Sequence, residues 1–139
     1  MLCLLTPITQ GAIAEPPPLA EGEGPQDVGS YAEHTRARQL VEQGLKHVGA
    51  KSYGEALVSF QDAIQLDPTY ARAWNAKGAT LYFLGRPEEA LAPLNRAVAL
   101  DPNYRMAHWN RARVLESLGR SEEAAAAQSQ AEAIVAAWR

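Results

Sequence analysis

From about Tyr31 onward, apolar residues recur at the three- and four-residue spacing that is typical of amphipathic helices. Gly49, Gly85 and Gly119 each follow such a stretch, and glycine commonly supplies the left-handed residue that ends a helix. The pattern predicts six helices, near Tyr31–Val48, Tyr53–Leu66, Tyr70–Leu84, Pro87–Leu100, Tyr104–Leu118 and Ser121–Ala137.

Several local signals support these helix starts. Ser-x-x-Glu occurs at 30–33 and at 52–55, which is the spacing of a capping box, and Pro87 suits a first helical turn. Pro93 is the one conflict, because a proline about six residues inside the fourth helix should kink or distort it.

The sequence Leu-Asp-Pro occurs at 66–68 and returns at 100–102, a spacing of 34 residues. Proline stops one helix and aspartate can cap or favour the start of the next, so each recurrence predicts the same turn. The period divides the chain into units 37–70, 71–104 and 105–138. Small residues stand where two helices must approach closely, at the eighth (Gly44, Gly78, Ala112), twentieth (Ala56, Ala90, Ala124) and twenty-seventh (Ala63, Ala97, Ala131) positions of these units.

This periodic pattern resembles the tetratricopeptide repeat family, whose 34-residue signature has an early Trp, then Gly, Ala, Phe, Ala and a closing Pro. Unit two matches best, through Trp74, Gly78, Leu81, Gly85, Ala90, Leu94, Ala97 and Pro102. The outer units depart from the signature at Leu40, His47, His108, Gln128 and Ala136. The resemblance implies an all-α, right-handed solenoid of three helix-turn-helix repeats over residues 30–139.

In that family the first helix of each unit lines a concave face that binds peptides. The resemblance therefore implies a non-catalytic scaffold that binds a protein or peptide, with acidic or C-terminal peptides favoured by the arginines and aromatic rings. The predicted groove residues are Arg38, Arg72, Asn75, Tyr82, Phe83, Trp109, Asn110 and Arg113. The same stripe also includes Val41, Leu45, Val48, Gly49, Ala79, Met106, Glu116 and Ser117. The family members that grip the acidic tails of chaperones need Lys and Asn where this chain has Val41 and Leu45, so that role is not expected.

The last helix supports a second interpretation. It ends in apolar residues that no later repeat covers, so it either caps its own domain or joins a second chain as an assembly subunit. The predicted association surface comprises Ala131, Ile134, Val135 and Trp138.

Residues 1–29 differ in composition and are predicted to be a disordered leader, rich in proline and glycine. Ala12-Ile13-Ala14 resembles a signal-peptidase site, but no Lys or Arg precedes the apolar segment of residues 1–14. Export and cytoplasmic residence both stay open.

Composition narrows the classes of function. A net charge of -3 argues against a nucleic-acid partner, and no apolar run is long enough for a transmembrane helix. One cysteine, Cys3, and three separated histidines form no metal-ligand pattern, and no nucleophile or phosphate-loop motif occurs. We therefore expect no catalytic site, metal or cofactor.

Overall fold

The computed structural model describes the backbone of residues 25–139 and the side chains of residues 29–139. This part of the chain contains six helices and no strands, so the predicted all-α solenoid is confirmed. The helices are α1 (Pro25–Gly49), α2 (Tyr53–Leu66), α3 (Ala71–Phe83), α4 (Pro87–Leu100), α5 (Arg105–Ser117) and α6 (Ser121–Ala136).

Helix α1 begins six residues before the predicted start at Tyr31. Residues 25–29, which were assigned to the disordered leader, are therefore helical. Proline is tolerated at Pro25 because the amide hydrogen that it lacks would have no helical partner in the first turn. The rest of the leader, including the signal-peptide candidate at 1–14, lies outside the described residues.

The helices pack in consecutive pairs, α1 with α2, α3 with α4 and α5 with α6. Between pairs, α2 contacts α3 and α4 contacts α5, while α1 touches α3 and α3 touches α5. Two equivalent polar bridges also link the pairs: Lys77 Nζ donates to Gln61 Oε1, and Arg111 Nε donates to Asn95 Oδ1, both at 2.7 Å. Each repeat therefore contacts only its neighbours, as in other solenoids.

Glycine permits the close approach of the two helices in the first two pairs. A Cβ atom on Gly44 would lie 2.5 Å from the ring of Phe60, and one on Gly78 would lie 2.5 Å from Cγ of Leu94. Phe60 and Leu94 are fully buried and stand 34 residues apart. The predicted small residues therefore make room for a large side chain of the partner helix.

The repeated Asp-Pro turns have the same hydrogen bonds, but their aspartates act differently from the prediction. Asp67 accepts from the backbone amide of Thr69, and Asp101 accepts from that of Asn103, both at 3.0 Å. These contacts fold the turn itself and do not cap the next helix, because the side chains reach only two residues ahead. Asp67 also bonds Thr69 Oγ1 and His34.

The carbonyl oxygen of the turn proline is bonded in the same way in both turns. Trp74 Nε1 donates to the carbonyl of Pro68 at 2.8 Å, and His108 Nε2 lies 2.8 Å from that of Pro102. His108 therefore replaces the tryptophan as hydrogen-bond partner of the turn, although its buried Nδ1 has no partner within the described chain.

The ends of α1, α3 and α5 share one capping geometry. Gly85 and Gly119 are left-handed, with φ of 74°, as predicted, but Gly49 is not. The left-handed residue after α1 is Lys51, with φ of 60°. The next amide reaches back to the helix in each case, for example Ser52 N to His47 O at 2.8 Å, which is the Schellman pattern.

The capping boxes predicted from serine are wrong. Ser30 lies inside α1, and Ser52 is the N-cap of α2 without a side-chain bond. The backbone of Ser52 already closes the Schellman motif of α1, which gives it a ψ of 64° instead of the extended conformation usual at an N-cap. Glu55 pairs instead with His47 Nδ1 at 3.0 Å.

Helix α4 continues without a break through Pro93, which is buried. Proline lacks the amide that would bond the carbonyl of Glu89, and its ring crowds that carbonyl; the packing of α4 against α3 supports the helix there. Among the described helices, none is both long enough and apolar enough to cross a bilayer.

Candidate functional site

A hollow of about 190 Å³ lies where α1, α3 and the residue before α5 meet. Most of its lining is apolar, and Arg72 is its one charged residue. The lining comprises Leu45, Val48, Arg72, Asn75, Ala76, Ala79, Thr80, Phe83 and Tyr104. Six of the nine belong to the stripe predicted on the first helices of the repeats, namely Leu45, Val48, Arg72, Asn75, Ala79 and Phe83.

Two large apolar side chains of the hollow remain open to solvent. Phe83 is 53% exposed and Leu45 is 36% exposed. The Tyr53 ring stacks on Phe83, with centroids 6.1 Å apart and planes inclined by 15°. This stacking holds the Phe83 ring while leaving part of its surface open for contact.

Arg72 supplies positive charge at the edge of the hollow. Its Nη1 lies 3.3 Å from Oε1 of Glu42, and both side chains are about half exposed. An exposed pair of this kind contributes little to stability, because water screens both charges. A stronger acceptor could therefore replace Glu42 at low cost.

The predicted asparagines contact each other across two repeats. Asn110 Nδ2 donates to Asn75 Oδ1 at 2.9 Å, and Asn75 Nδ2 donates to the hydroxyl of Tyr104 at 3.2 Å. Asn75 is only 8% exposed. These bonds join α3 to α5, so both asparagines help to hold neighbouring repeats together, and Asn75 also lines the hollow.

Tyr104 is a residue of the hollow that sequence reasoning missed. Burial raises the pKa of its phenol, and the hydrogen bond from Asn75 opposes that shift. Tyr104 is the last residue of its repeat, equivalent to Tyr70, and this position could have indicated its role. The predicted stripe included only helical residues.

Tyr82 and Arg113 form a second contact between repeats. The Arg113 guanidinium lies 5.2 Å from the centroid of the Tyr82 ring, within the range of a cation–π interaction. Tyr82 is half-buried and packs against the apolar cluster around Leu81 and Leu94. The tyrosine therefore orients the arginine, which is itself exposed.

The structure does not bring Arg38 or Trp109 to the hollow. Arg38 lies on the polar outer face of α1, and Trp109 lines a separate groove between α5 and α6. Val41, also in the predicted stripe, is fully buried. Helical spacing places these positions on the same predicted stripe. The next repeat covers Val41, whereas Trp109 has no next repeat within the described chain.

The predicted association surface is only partly exposed. Ala131 is 3% exposed and packs into the last helix pair, and it also contributes to the lining of the groove between α5 and α6. Ile134 and Val135 are half-buried, and Trp138 is 84% exposed.

Comparison with known proteins shows which family this arrangement belongs to. Two tetratricopeptide repeat models match the sequence, over residues 47–108 and 80–137. No curated protein matches it.

Solved tetratricopeptide domains have the same fold. The first such domain of Spaghetti (RPAP3), bound to the HSP90 peptide SRMEEVD, aligns with a TM-score of 0.71 and 24% identity, covering 73% of this chain and 80% of that one. The Arabidopsis OM64 domain gives 0.71 and 24%, with coverage of 73% and 84%. The TPR2B domain of yeast Sti1, in a pHsp70 complex, gives 0.70 and 22%, with coverage of 72% and 80%.

At these identities the structures establish the fold alone, whereas the family models rest on the sequence itself. Their matched ranges overlap and together run from residue 47 to 137, which is well over half of the 139 residues. The chain therefore belongs to the tetratricopeptide repeat family.

Proposed function

We propose that the protein is an interaction module that binds a peptide segment of a partner protein in the hollow between α1 and α3. The observation that carries the proposal is the combination of exposed apolar surface, from Phe83 and Leu45, with a guanidinium, Arg72, at one open site. Aromatic residues and arginine are both enriched at protein interfaces relative to the rest of the surface.

The lining favours a peptide with an apolar side chain next to a carboxylate. The apolar group would cover Phe83 and Leu45, and the carboxylate would replace Glu42 as the partner of Arg72. Arg113, held over Tyr82, provides a second cation on the following repeat. The carboxylate can belong to an acidic side chain or to a chain terminus.

Solved relatives support peptide binding by this fold, since the Spaghetti domain was solved with SRMEEVD. The same peptide is not the expected ligand here. The clamp for such tails needs Lys and Asn where this chain has Val41 and Leu45, and Val41 is fully buried. The hollow therefore favours an apolar anchor over an all-polar clamp.

The proposal is tested by selecting short random peptides displayed on phage against the full chain, and measuring the affinity of the enriched peptides. We expect enrichment of peptides with an apolar residue beside a carboxylate, and Arg72→Glu or Phe83→Glu should weaken their binding by about tenfold or more. An enriched peptide whose carboxylates are replaced by amides is the negative control.

Arg96→Glu is the matched control variant, because Arg96 is an exposed arginine of α4 that does not line the hollow. Its affinity should equal that of the unmodified chain. Peptide binding that survives both Arg72→Glu and Phe83→Glu would refute the proposal that the hollow is the binding site.

Self-association is the second candidate function, and the 84% exposure of Trp138 favours it. Two of the predicted association residues, Ala131 and Val135, line the groove between α5 and α6. This surface includes residues of α5 as well as of α6.

A further inference from the structure

The fifth position of each repeat faces the following repeat. In the first two repeats this position is covered: Val41 is fully buried and packs in one cluster with residues of α3, and Asn75, 8% exposed, bonds Asn110 of α5. The third member of the series, Trp109, is 44% exposed. The outer face of α5 and α6 is therefore a helix-stacking surface that residues 25–139 leave uncovered.

This surface contains an open groove of about 650 Å³, larger than the hollow between α1 and α3. Met106 and Trp109 of α5 form one wall, and Val135 and Ala136 of α6 lie on the other. Met106 is 45% exposed, so both large side chains of the α5 wall are open to solvent. We call this groove the end groove.

We propose that a second copy of this chain occupies the end groove, with the two copies related by a two-fold axis so that each presents the same surface to the other. The proposal is independent of peptide binding in the hollow, because the two sites share no lining residue. Two-fold contacts of this kind are the commonest arrangement in homo-oligomers.

The other end of the array argues against a head-to-tail stack. The exposed face of α1 is lined by Thr35, Arg38, Gln39, Glu42, Gln43 and Lys46. A head-to-tail contact would press these polar side chains onto Met106 and Trp109, leaving them without water or a defined partner. Pairing of two end grooves buries apolar surface against apolar surface.

Trp138 is the side chain available to fill the partner's groove. It is 84% exposed and lies two residues after Ala136 of the groove wall. In a two-fold arrangement each copy both offers this indole and receives one. Tryptophan is among the side chains most enriched at the energetic centres of interfaces.

The charges at the edge of the groove are also self-complementary. Arg105 and Arg139 lie at the groove together with Glu132. Within the described chain neither arginine has a carboxylate at ion-pair distance. A two-fold axis can bring an arginine of one copy to Glu132 of the other, and such edge pairs fix orientation more than affinity.

The test is sedimentation equilibrium of the full chain over about a hundredfold range of concentration, since dimer populations follow mass action. We expect the mass to rise from 15.1 kDa toward twice that value and no further. Trp109→Glu and Trp138→Glu should each raise the dimer dissociation constant by about tenfold or more.

Phe83→Glu is the matched control, because Phe83 is exposed to a similar degree but lines the other site. It should leave the dimer unchanged while weakening peptide binding, so the two proposals fail separately. Val135→Arg, at the half-buried wall, gives a second variant if Trp109→Glu loses its helical circular dichroism signal. A monomer at every concentration, a mass beyond the dimer, or a dimer insensitive to both tryptophan variants would each overturn the proposal.

Discussion

Lys51 holds a backbone conformation that costs energy for any residue with a side chain. Its φ of 60° places it in the left-handed region, at the repeat position where Gly85 and Gly119 have φ of 74°. The amide of Lys51 bonds the carbonyl of Val48 at 2.9 Å, so the Schellman motif forms despite the penalty.

Lys51→Gly should therefore stabilise the protein by about 1 kcal/mol, because glycine adopts the left-handed region without steric cost. The measurement is the free energy of unfolding from urea titration. Gly85→Ala is the reciprocal variant and should destabilise by a similar amount. A loss of stability in Lys51→Gly would mean that the side chain makes a compensating contact.

Single residues in the sequence predicted some features of the structure and not others. The apolar stretch before Gly49 suggested that this glycine ends α1, whereas the 34-residue register points to Lys51, since Gly85 stands 34 residues later. The bond between Asn75 and Asn110 had no such signal. Which amide meets which across two repeats depends on the angle between α3 and α5, and periodicity within one helix does not specify that angle.

At the scale of helices, the distance between partners in a pair is set by one small residue on the first helix. A Cβ on Gly78 would also approach the carbonyl oxygen of Ala90 to 3.1 Å, in addition to its 2.5 Å contact with Leu94. Leu94 is fully buried, and close-packed interiors leave few voids into which a side chain could move. The pair α3–α4 can therefore accept a side chain at this position only by moving apart.

Gly78→Ala should destabilise the protein by about 1–2 kcal/mol, since overpacking outweighs the better helix propensity of alanine. Gly54→Ala is the matched control: Gly54 is exposed in α2, a Cβ there meets nothing within 4 Å, and its stability should stay equal or rise. Far-UV circular dichroism during urea unfolding measures both. Equal effects of the two substitutions would contradict the packing argument.

Helix positions were the most predictable feature, because periodicity and turn residues agree along the whole array. The starts and ends of α2 through α6 lie within one residue of their predicted places. The exception, α1, begins at Pro25 within a segment whose prolines and glycines suggested a disordered leader. Composition averages over a segment and does not reveal that one proline opens a helix.

At the scale of the whole molecule, every contact between repeats within residues 25–139 joins neighbouring repeats. Helix α1 contacts α2 and α3, and α5 contacts α3, α4 and α6. Stability in such an array is close to a sum of repeat and interface contributions, so damage to one repeat should stay partly local.

Gly44→Ala should lower amide hydrogen-exchange protection most in α1 and α2 and least in α5 and α6, because its Cβ would clash with Phe60. Ala112→Gly, at the equivalent place in the third repeat, should produce the opposite gradient, with about 1 kcal/mol lost in α5. Exchange monitored by mass spectrometry resolves the helices. Uniform loss of protection in both variants would show a single cooperative unit.

The Asp-Pro turns make the repeat interchangeable at its boundaries. Deleting residues 71–104 would join Tyr70 to Arg105. The turn that now precedes α3 would then lead directly into α5. His108 would then lie next to the carbonyl of Pro68. That carbonyl occupies the same position in its turn as the carbonyl of Pro102, the present partner of His108. Genetic duplication or loss of one 34-residue block therefore changes the number of repeats without requiring a new turn sequence. Evolution can in this way change the length of the binding surface.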